Sequence, residues 1–395
     1  MRPDLQQDFI KRVSDSTHGR VCTQLEQLLG TKIDFRICEM PIFVSHALRY
    51  QLEEAAISLT KQCCTTSLIE TMSQSIHPAA RVPNTSDRPL FSVVDFAITL
   101  GDDGAFTPKL IELQGFPSLY GYQLFYASQM QNVYALESTT PFCSQLTYDE
   151  YCALLRECIY GSQHPDAVAL LELDPLEQKT RPDFLALEQL IGLQTCNIRD
   201  VARQGRRLVH TDSQGRRQEL QRVFNRAIVD ELTEKNVELG FSWNDALDVE
   251  WAGHPNWFYL MSKATMPYLR HASVPSSMFL NELDQLPSDL SRYVLKPLYA
   301  FAGKGVVVAP HESDILAVPM DQRHTWILQE RVEYARCVPT PYGSNAVEIR
   351  IMCLWPDRCT APIPVMSLAR TGRGTYMGAR YNTEPWTGSS GCLFV

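Results

Sequence analysis

The sequence has no run near the ~20 apolar residues that a membrane span needs, and its opening MRPDLQQD has no signal-peptide-like apolar core. Both absences lead to the expectation of a cytoplasmic protein with no membrane partner. Excess basic charge is also missing. Lys and Arg number 36 against 45 Asp and Glu, a formal charge of −9, which argues against binding nucleic acid through a broad basic face. A local basic pocket for an anionic ligand stays open. None of the twelve cysteines forms a Cys-x-x-Cys pair. Cys63 and Cys64 are adjacent in a helical pattern, and the Cys152/Cys158 and Cys353/Cys359 pairs lack metal-site spacing. Reduced thiols packed as small hydrophobes are expected. Gly-x-Gly-x-x-Gly is absent, as are internal repeats and any visible Ser/His/Asp or Cys/His arrangement, so no dinucleotide fingerprint or nucleophilic triad is expected.

What is present is an ordinary globular composition, 45% hydrophobic and 21% charged, over 395 residues, with room for two or three lobes. Residues 1–30 carry apolar side chains at near-helical spacing. Ser45 is placed to cap a helix from about His46 to Gln62. FSVVDFAITL over 91–100 and KLIELQ over 109–114 flank a Gly-Asp-Asp-Gly turn and read as a hairpin. Folding it brings Asp95 near 110–112, so that Asp95, Glu112 and the Gln114 amide converge as oxygen donors of the kind a hard cation prefers; without a phosphate site elsewhere, the hydrated face of an edge hairpin is the better account of the two carboxylates. The run from Leu119 to Leu136 reads as a helix on that sheet. AVALLEL over 167–173, a helix from about Asp183 to Ile191 and a short strand at 195–198 form a βαβ pattern with a ligand-facing loop. A basic hairpin over 205–217 follows, then an expected helix from Leu220 to Leu239 and another from about Phe258 that contains Lys263. YVLKPLYAFAGKGVVV over 293–308 is a strand bearing Lys296, a glycine turn at Gly303, Lys304 and Gly305, and a returning strand. Two lysines beside backbone free of bulky side chains suit a polyphosphate. Taken alone, that stretch is better accounted for as an ordinary hairpin with a solvated lysine.

Taken together, these stretches resemble the ATP-grasp superfamily of carboxylate ligases. The likeness runs through most of 250–395 and returns at 91–118. It is carried by Lys263, Lys296, the loop at 302–305, Gln329-Glu330, Glu348-Ile-Arg350, Arg370 and Asn382, with the metal-bearing strands found at the start, as Asp95 and Glu112-Leu-Gln114. That order is similar to the circularly permuted branch that includes eukaryotic-type glutathione synthetase and glutathionylspermidine synthetase. Gln114 departs from the usual asparagine, and the glycine loop is short.

The resemblance implies an α/β (α+β) permuted ATP-grasp fold with an added parallel α/β substrate lobe. The expected division is a helical segment at 1–90, a metal-bearing part at 91–140, the substrate-side lobe at 141–248 and the main nucleotide region at 249–395. The implied activity is an ADP-forming carboxylate–amine (or thiol) ligase that works through an acylphosphate on an amino-acid or peptide-like substrate. Its partners would be small molecules, and a homodimer is one arrangement the branch allows. ATP and Mg2+, with Mn2+ as a substitute, are the implied cofactors. Lys263, Lys296, Gly303, Lys304, Gly305, Gln329, Glu330 and Val332 would hold the nucleotide, and Asp95, Glu112 and Gln114 the metal. Arg350, Arg370 and Asn382 would assist phosphoryl transfer. Ser118, Lys179, Asn225 and Arg226 are expected at the substrate; for each singly, a solvated surface role is at least as good a reading. A non-ligating ATP-binding regulatory protein and a phosphotransferase of the same fold are the alternatives.

Overall fold

Phe91–Leu100 is rich in β-branched and aromatic residues, and nine of its ten residues are buried. It lies inside a six-stranded sheet in the order Ile42–Val44, Gly388–Phe394, Ile363–Gly372, Ala346–Leu354, Phe91–Leu100 and Phe106–Gln114. The pairings are antiparallel except that Ile42–Val44 runs parallel to Gly388–Phe394. This is a computed structural model that describes residues 1–298, 305–378 and 381–395.

Strand alternation sorts the two faces. Val94, Phe96, Ile98, Ile349 and Ile351 join the core that includes the helix His46–Cys63. Val93 and Met352 join a second core with Tyr120 and Leu124 of the helix Tyr120–Tyr134. Asp95 and Arg350 share the parity of that second face. The cap expected at Ser45 is present, its hydroxyl accepting from the Leu48 N–H at 3.4 Å.

A four-stranded parallel sheet orders Glu250–Ala252, Arg222–Asn225, Val168–Glu172 and Gln194–Asn197, with the helix Arg181–Ile191 as the first crossover. The expected helix from 220 to 239 is therefore corrected. Arg222–Asn225 is a fully buried strand, and the helical part shrinks to Val229–Glu234. The run RVFN is flanked by polar residues, but Arg222 is neutralised by Glu250 and donates to the carbonyls of Cys158 and Ile159, so burial costs it no bonds. The basic hairpin is present as Arg207–Thr211 and Arg217–Leu220 in a three-stranded antiparallel sheet.

The fourth sheet orders Ser277–Phe279, Trp326–Glu330, Tyr293–Pro297 and Val307–Val308. Leu295 and Leu328 pack on one face with Leu280, Ile315 and Val318. Its other face looks toward the central sheet across a cleft. Each of the twelve cysteines is free. No described helix is long and apolar enough to cross a membrane.

Candidate functional site

The cleft between the fourth sheet and the central sheet has a volume of about 400 Å³. On the central-sheet side the hairpin register sets Asp95 directly opposite Glu112 and Val93 opposite Gln114. A bulge beside Asp95 then pairs Phe96 with Leu110, leaving Ile111 extra. Bulges re-aim nearby groups, and here the Ile111 carbonyl accepts from the Lys296 ammonium at 3.3 Å. The N–H of Gly115 donates to Met261 O at 3.1 Å. A Cβ at Gly115 would come within 2.6 Å of the Trp257 carbonyl, so the approach requires glycine. This docking brings Lys263, first residue of the 3-10 helix Lys263–Tyr268, to 3.2 Å from Glu112. Lys263 thus begins a separate turn and does not lie within the helix expected from Phe258, which ends at Leu260.

Asp95 is only 1% exposed. Arg350 grips it bidentately at 2.6 and 2.7 Å, and Arg370 adds a third bond at 2.7 Å. Burial alone would raise the Asp95 carboxyl, but the two guanidiniums outweigh it and hold it well below the ordinary carboxylate range. Arg370 also lies 3.4 Å from Glu348, which accepts from the Tyr334 hydroxyl at 2.5 Å. Burial pushes Glu348 up against the pull of Arg370. Glu112 is half-buried, and its desolvation would raise it, yet Lys263 brings it net below its ordinary value. Burial pulls Lys296 down to about 8, against the attraction of Glu112. Among the described residues, Lys263, Lys296, Arg350 and Arg370 gather around Asp95, Glu112 and Glu348, four cations to three carboxylates. That surplus of positive charge suits an anion.

The expected metal set fits this geometry poorly. Both Asp95 oxygens are occupied by guanidiniums, and Glu112 is shared between Lys263 and the Gln114 amide, which donates to it at 3.0 Å. Among the described residues no group of three or more His, Cys, Asp or Glu is arranged to hold a metal ion.

On the fourth-sheet side, Gln329, Glu330 and Val332 line the cleft, as do Val294, Val306 and Val308. Gln329 is buried with both amide atoms unpartnered, and Arg370 Nε is likewise unpartnered. The Glu330 carboxylate lies 3.8 Å from Arg292. Gly305 holds a left-handed φ of 73° beside Pro297; Gly303 and Lys304 lie outside the described residues. Tyr376, stacked on Tyr381 at 4.9 Å, donates to Val306 O at 3.3 Å and bridges the two sides. Asn382 does not line this cleft. Its amide donates to Met377 O at 2.9 Å, and it faces a separate groove together with Lys179, His18 and Cys22.

The remaining expected residues gather at the carboxyl ends of the parallel sheet. Val168–Glu172 and Arg222–Asn225 are the adjacent strands where the chain order reverses, the usual ligand position in such sheets. Arg226 is buried over the rings of Phe116 at 5.1 Å and Phe184 at 5.6 Å, with Nε and Nη1 unpartnered. The Asn225 carbonyl oxygen is also unpartnered, while its amide donates to Ala227 O. Burial raises Glu172 to about 7, against the nearby charge of Arg226. Asp183, raised by burial against the pull of Arg226, accepts from the backbone N–H groups of Leu119, Gly121 and Tyr122. It thereby caps the start of the helix Tyr120–Tyr134, and Ser118 sits just before that cap, half-buried.

Tyr334, Tyr376, Glu172 and Asp183 were not among the residues expected at the site, and Glu348 was named within the Glu348-Ile-Arg350 motif without a role of its own. Glu348 was readable in principle, because it lies two residues from Arg350 on a strand and so shares its face. Tyr334 and Tyr376 arrive from loops, Asp183 from a helix start and Glu172 from the end of an apolar strand, with no motif to mark them.

Among solved structures, the chain is similar to a glutathione synthetase-like effector from Globodera pallida, in its apo form. The TM-score is 0.61 at 11% identity, over 96% of each chain. At that identity the likeness is one of fold, so the chain has a glutathione synthetase-like α/β fold. A Methylobacillus flagellatus KT protein carrying the name gamma-glutamylcysteine synthetase also matches, with a TM-score of 0.43 and 13% identity over 89% of this chain and 90% of its own. No family model and no curated protein matches.

Proposed function

We propose that the protein is an ATP-dependent carboxylate–amine ligase of the circularly permuted ATP-grasp type, cytoplasmic, acting on an amino-acid or peptide-like acid. The observation that carries this reading is the convergence of Lys263, Lys296 and Arg370 from three separate stretches on one cleft whose buried polar groups are not all paired, with Arg350 behind them on Asp95. Buried donors left without partners are costly unless a ligand completes them. The glutathione synthetase-like fold supports the same class.

In the reaction proposed, Lys263 and Lys296 hold the phosphate chain. A substrate carboxylate oxygen attacks the γ-phosphorus, the bond to the β-phosphate oxygen breaks, and ADP leaves. Arg370 neutralises charge on the transferring group through its unpartnered Nε, while Arg350, held by Asp95, keeps that arm in position. The amine then attacks the acylphosphate carbonyl, phosphate departs, and the amine proton passes to solvent. Positioning and charge neutralisation are what such transfer chiefly requires. Arg226 and Asn225 suit the acid's far carboxylate and amino groups.

A second reading is a nucleotide-binding protein without ligase activity. It is favoured by the pairing of Asp95 with two arginines, which leaves the expected metal set incomplete, and by the effector name of the similar structure. Screening amino acids and small peptides with ATP for ADP release, then weighing the product by mass spectrometry, separates the two. Ligation predicts ADP and phosphate; AMP and pyrophosphate would reject the mechanism, and nucleotide binding without turnover would favour the second reading.

A further inference from the structure

We infer that this cleft binds a phosphate chain without a divalent cation, its own lysines and arginines supplying the charge that a metal would bring. The inference rests on the nucleotide reading of the cleft and departs from the cofactors that the resemblance implies. It starts from where the carboxylate oxygens point. Arg350 Nε and Nη2 donate to one Asp95 oxygen each, and Arg370 Nη2 adds a bond to the second. One Glu112 oxygen accepts from Gln114 Nε2 at 3.0 Å, and the other lies 3.2 Å from Lys263 Nζ. Glu348 accepts from the Tyr334 hydroxyl at 2.5 Å, with its second oxygen 3.4 Å from Arg370. Every oxygen of the three carboxylates therefore faces a donor from the chain itself. Gln114 also turns its donor toward Glu112; rotating the amide to offer its oxygen would set two acceptors 3.0 Å apart.

Access points the same way. Of the expected metal set, only Glu112 is among the described residues that line the cleft, and Asp95 is 1% exposed behind them. A Mg2+ ion holds phosphates through a near-octahedral shell of oxygens and sheds its water reluctantly. To enter here it would have to displace charge-assisted bonds from a carboxylate and then sit beside the displaced cation. An anion meets no such obstacle. Arg370 Nε is buried without an acceptor, and among the described residues four cations stand around three carboxylates. An unfilled donor calls for an acceptor and would repel a metal. Mg2+ also cancels part of a triphosphate's negative charge, so the free form is the better match for a site with a positive surplus.

The test measures dissociation constants by calorimetry for ATP and for inorganic tripolyphosphate, in EDTA and in excess Mg2+ at matched ionic strength. Both are expected to bind about tenfold more tightly in EDTA than in Mg2+. Glu112→Gln, which removes a negative charge from the cleft, is expected to tighten ATP binding in EDTA by about threefold. A metal ligand at that position would give the opposite sign, a loss of binding confined to Mg2+. Mn2+ added alone, followed by its EPR signal, should look the same with native protein and with the variant. Binding in EDTA that matches or exceeds binding in Mg2+ upholds the inference. Tighter ATP binding in Mg2+ than in EDTA, or Mn2+ held by the native protein and lost in Glu112→Gln, overturns it and leaves the nucleotide cleft standing. Should the variant fold poorly, as its melting temperature would reveal, the native comparison decides alone. Native protein that binds neither ATP nor tripolyphosphate in either condition overturns the inference and the nucleotide reading together.

Discussion

Asp95 and Arg226 are both buried charges, but they are treated in opposite ways. Asp95 receives three guanidinium bonds from two arginines and lacks nothing. Arg226 rests on two aromatic rings with Nε and Nη1 unpartnered, beside a Glu172 that burial has raised to about 7. A buried charge whose partners come from its own chain is part of the fold, and its loss leaves others uncompensated. A buried charge left short of partners costs the fold something and suits a ligand. Burial alone therefore does not separate structural from functional groups; the count of unfilled bonds does.

The sharpest way to break this contrast is Asp95→Ala. It leaves Arg350 buried without its counter-charge and Arg370 with Glu348 alone, and is expected to cost about 3–5 kcal/mol, measured by denaturant unfolding. Were Asp95 a metal ligand and no more, stability in chelator would hardly change. Next is Arg226→Met, which keeps the bulk over Phe116 and Phe184 and removes unsatisfied donors. Its stability should stay within about 1 kcal/mol of the native protein, while the KM for the acid rises far more than that for ATP. Loss of fold would move Arg226 into the same class as Asp95. The smallest effect concerns Lys296. Its folded pKa of about 8 means the ammonium is present below that pH and is lost above it. ATP affinity should be flat below pH 8 and fall above it by up to about tenfold per unit, by calorimetry across pH 6.5 to 9.5. Lys296→Met should bind weakly and without that slope.

The hairpin was legible because alternation and a Gly-Asp-Asp-Gly turn fix its pairing to within a residue or two, and Asp95 does face Glu112. The arginine clamp was not legible. Arg350 and Arg370 lie 255 and 275 residues from Asp95, so the sequence presented three separate charges, each suited to a ligand role of its own. The strand at 222–225 was hidden for a related reason, since its arginine finds its partners in a helix end and a distant glutamate. Gln329 was expected among the residues that hold the nucleotide. Alternation from Ile327 already assigns its side chain to the cleft face, but only the three-dimensional contacts reveal that the amide is left unpaired.

The placement of the Phe91–Leu100 strand has a consequence for synthesis. One of its edges pairs at once with Phe106–Gln114, while the other must wait for Ala346–Leu354. At about 5–20 residues per second on the ribosome, the 255 residues between Asp95 and Arg350 take roughly 13–50 s. Throughout that interval a long apolar strand has an open edge and an acid without its counter-charge. The protein should therefore depend on chaperones more than its size suggests, and cutting production of the later strands should send the nascent chain to aggregation before degradation.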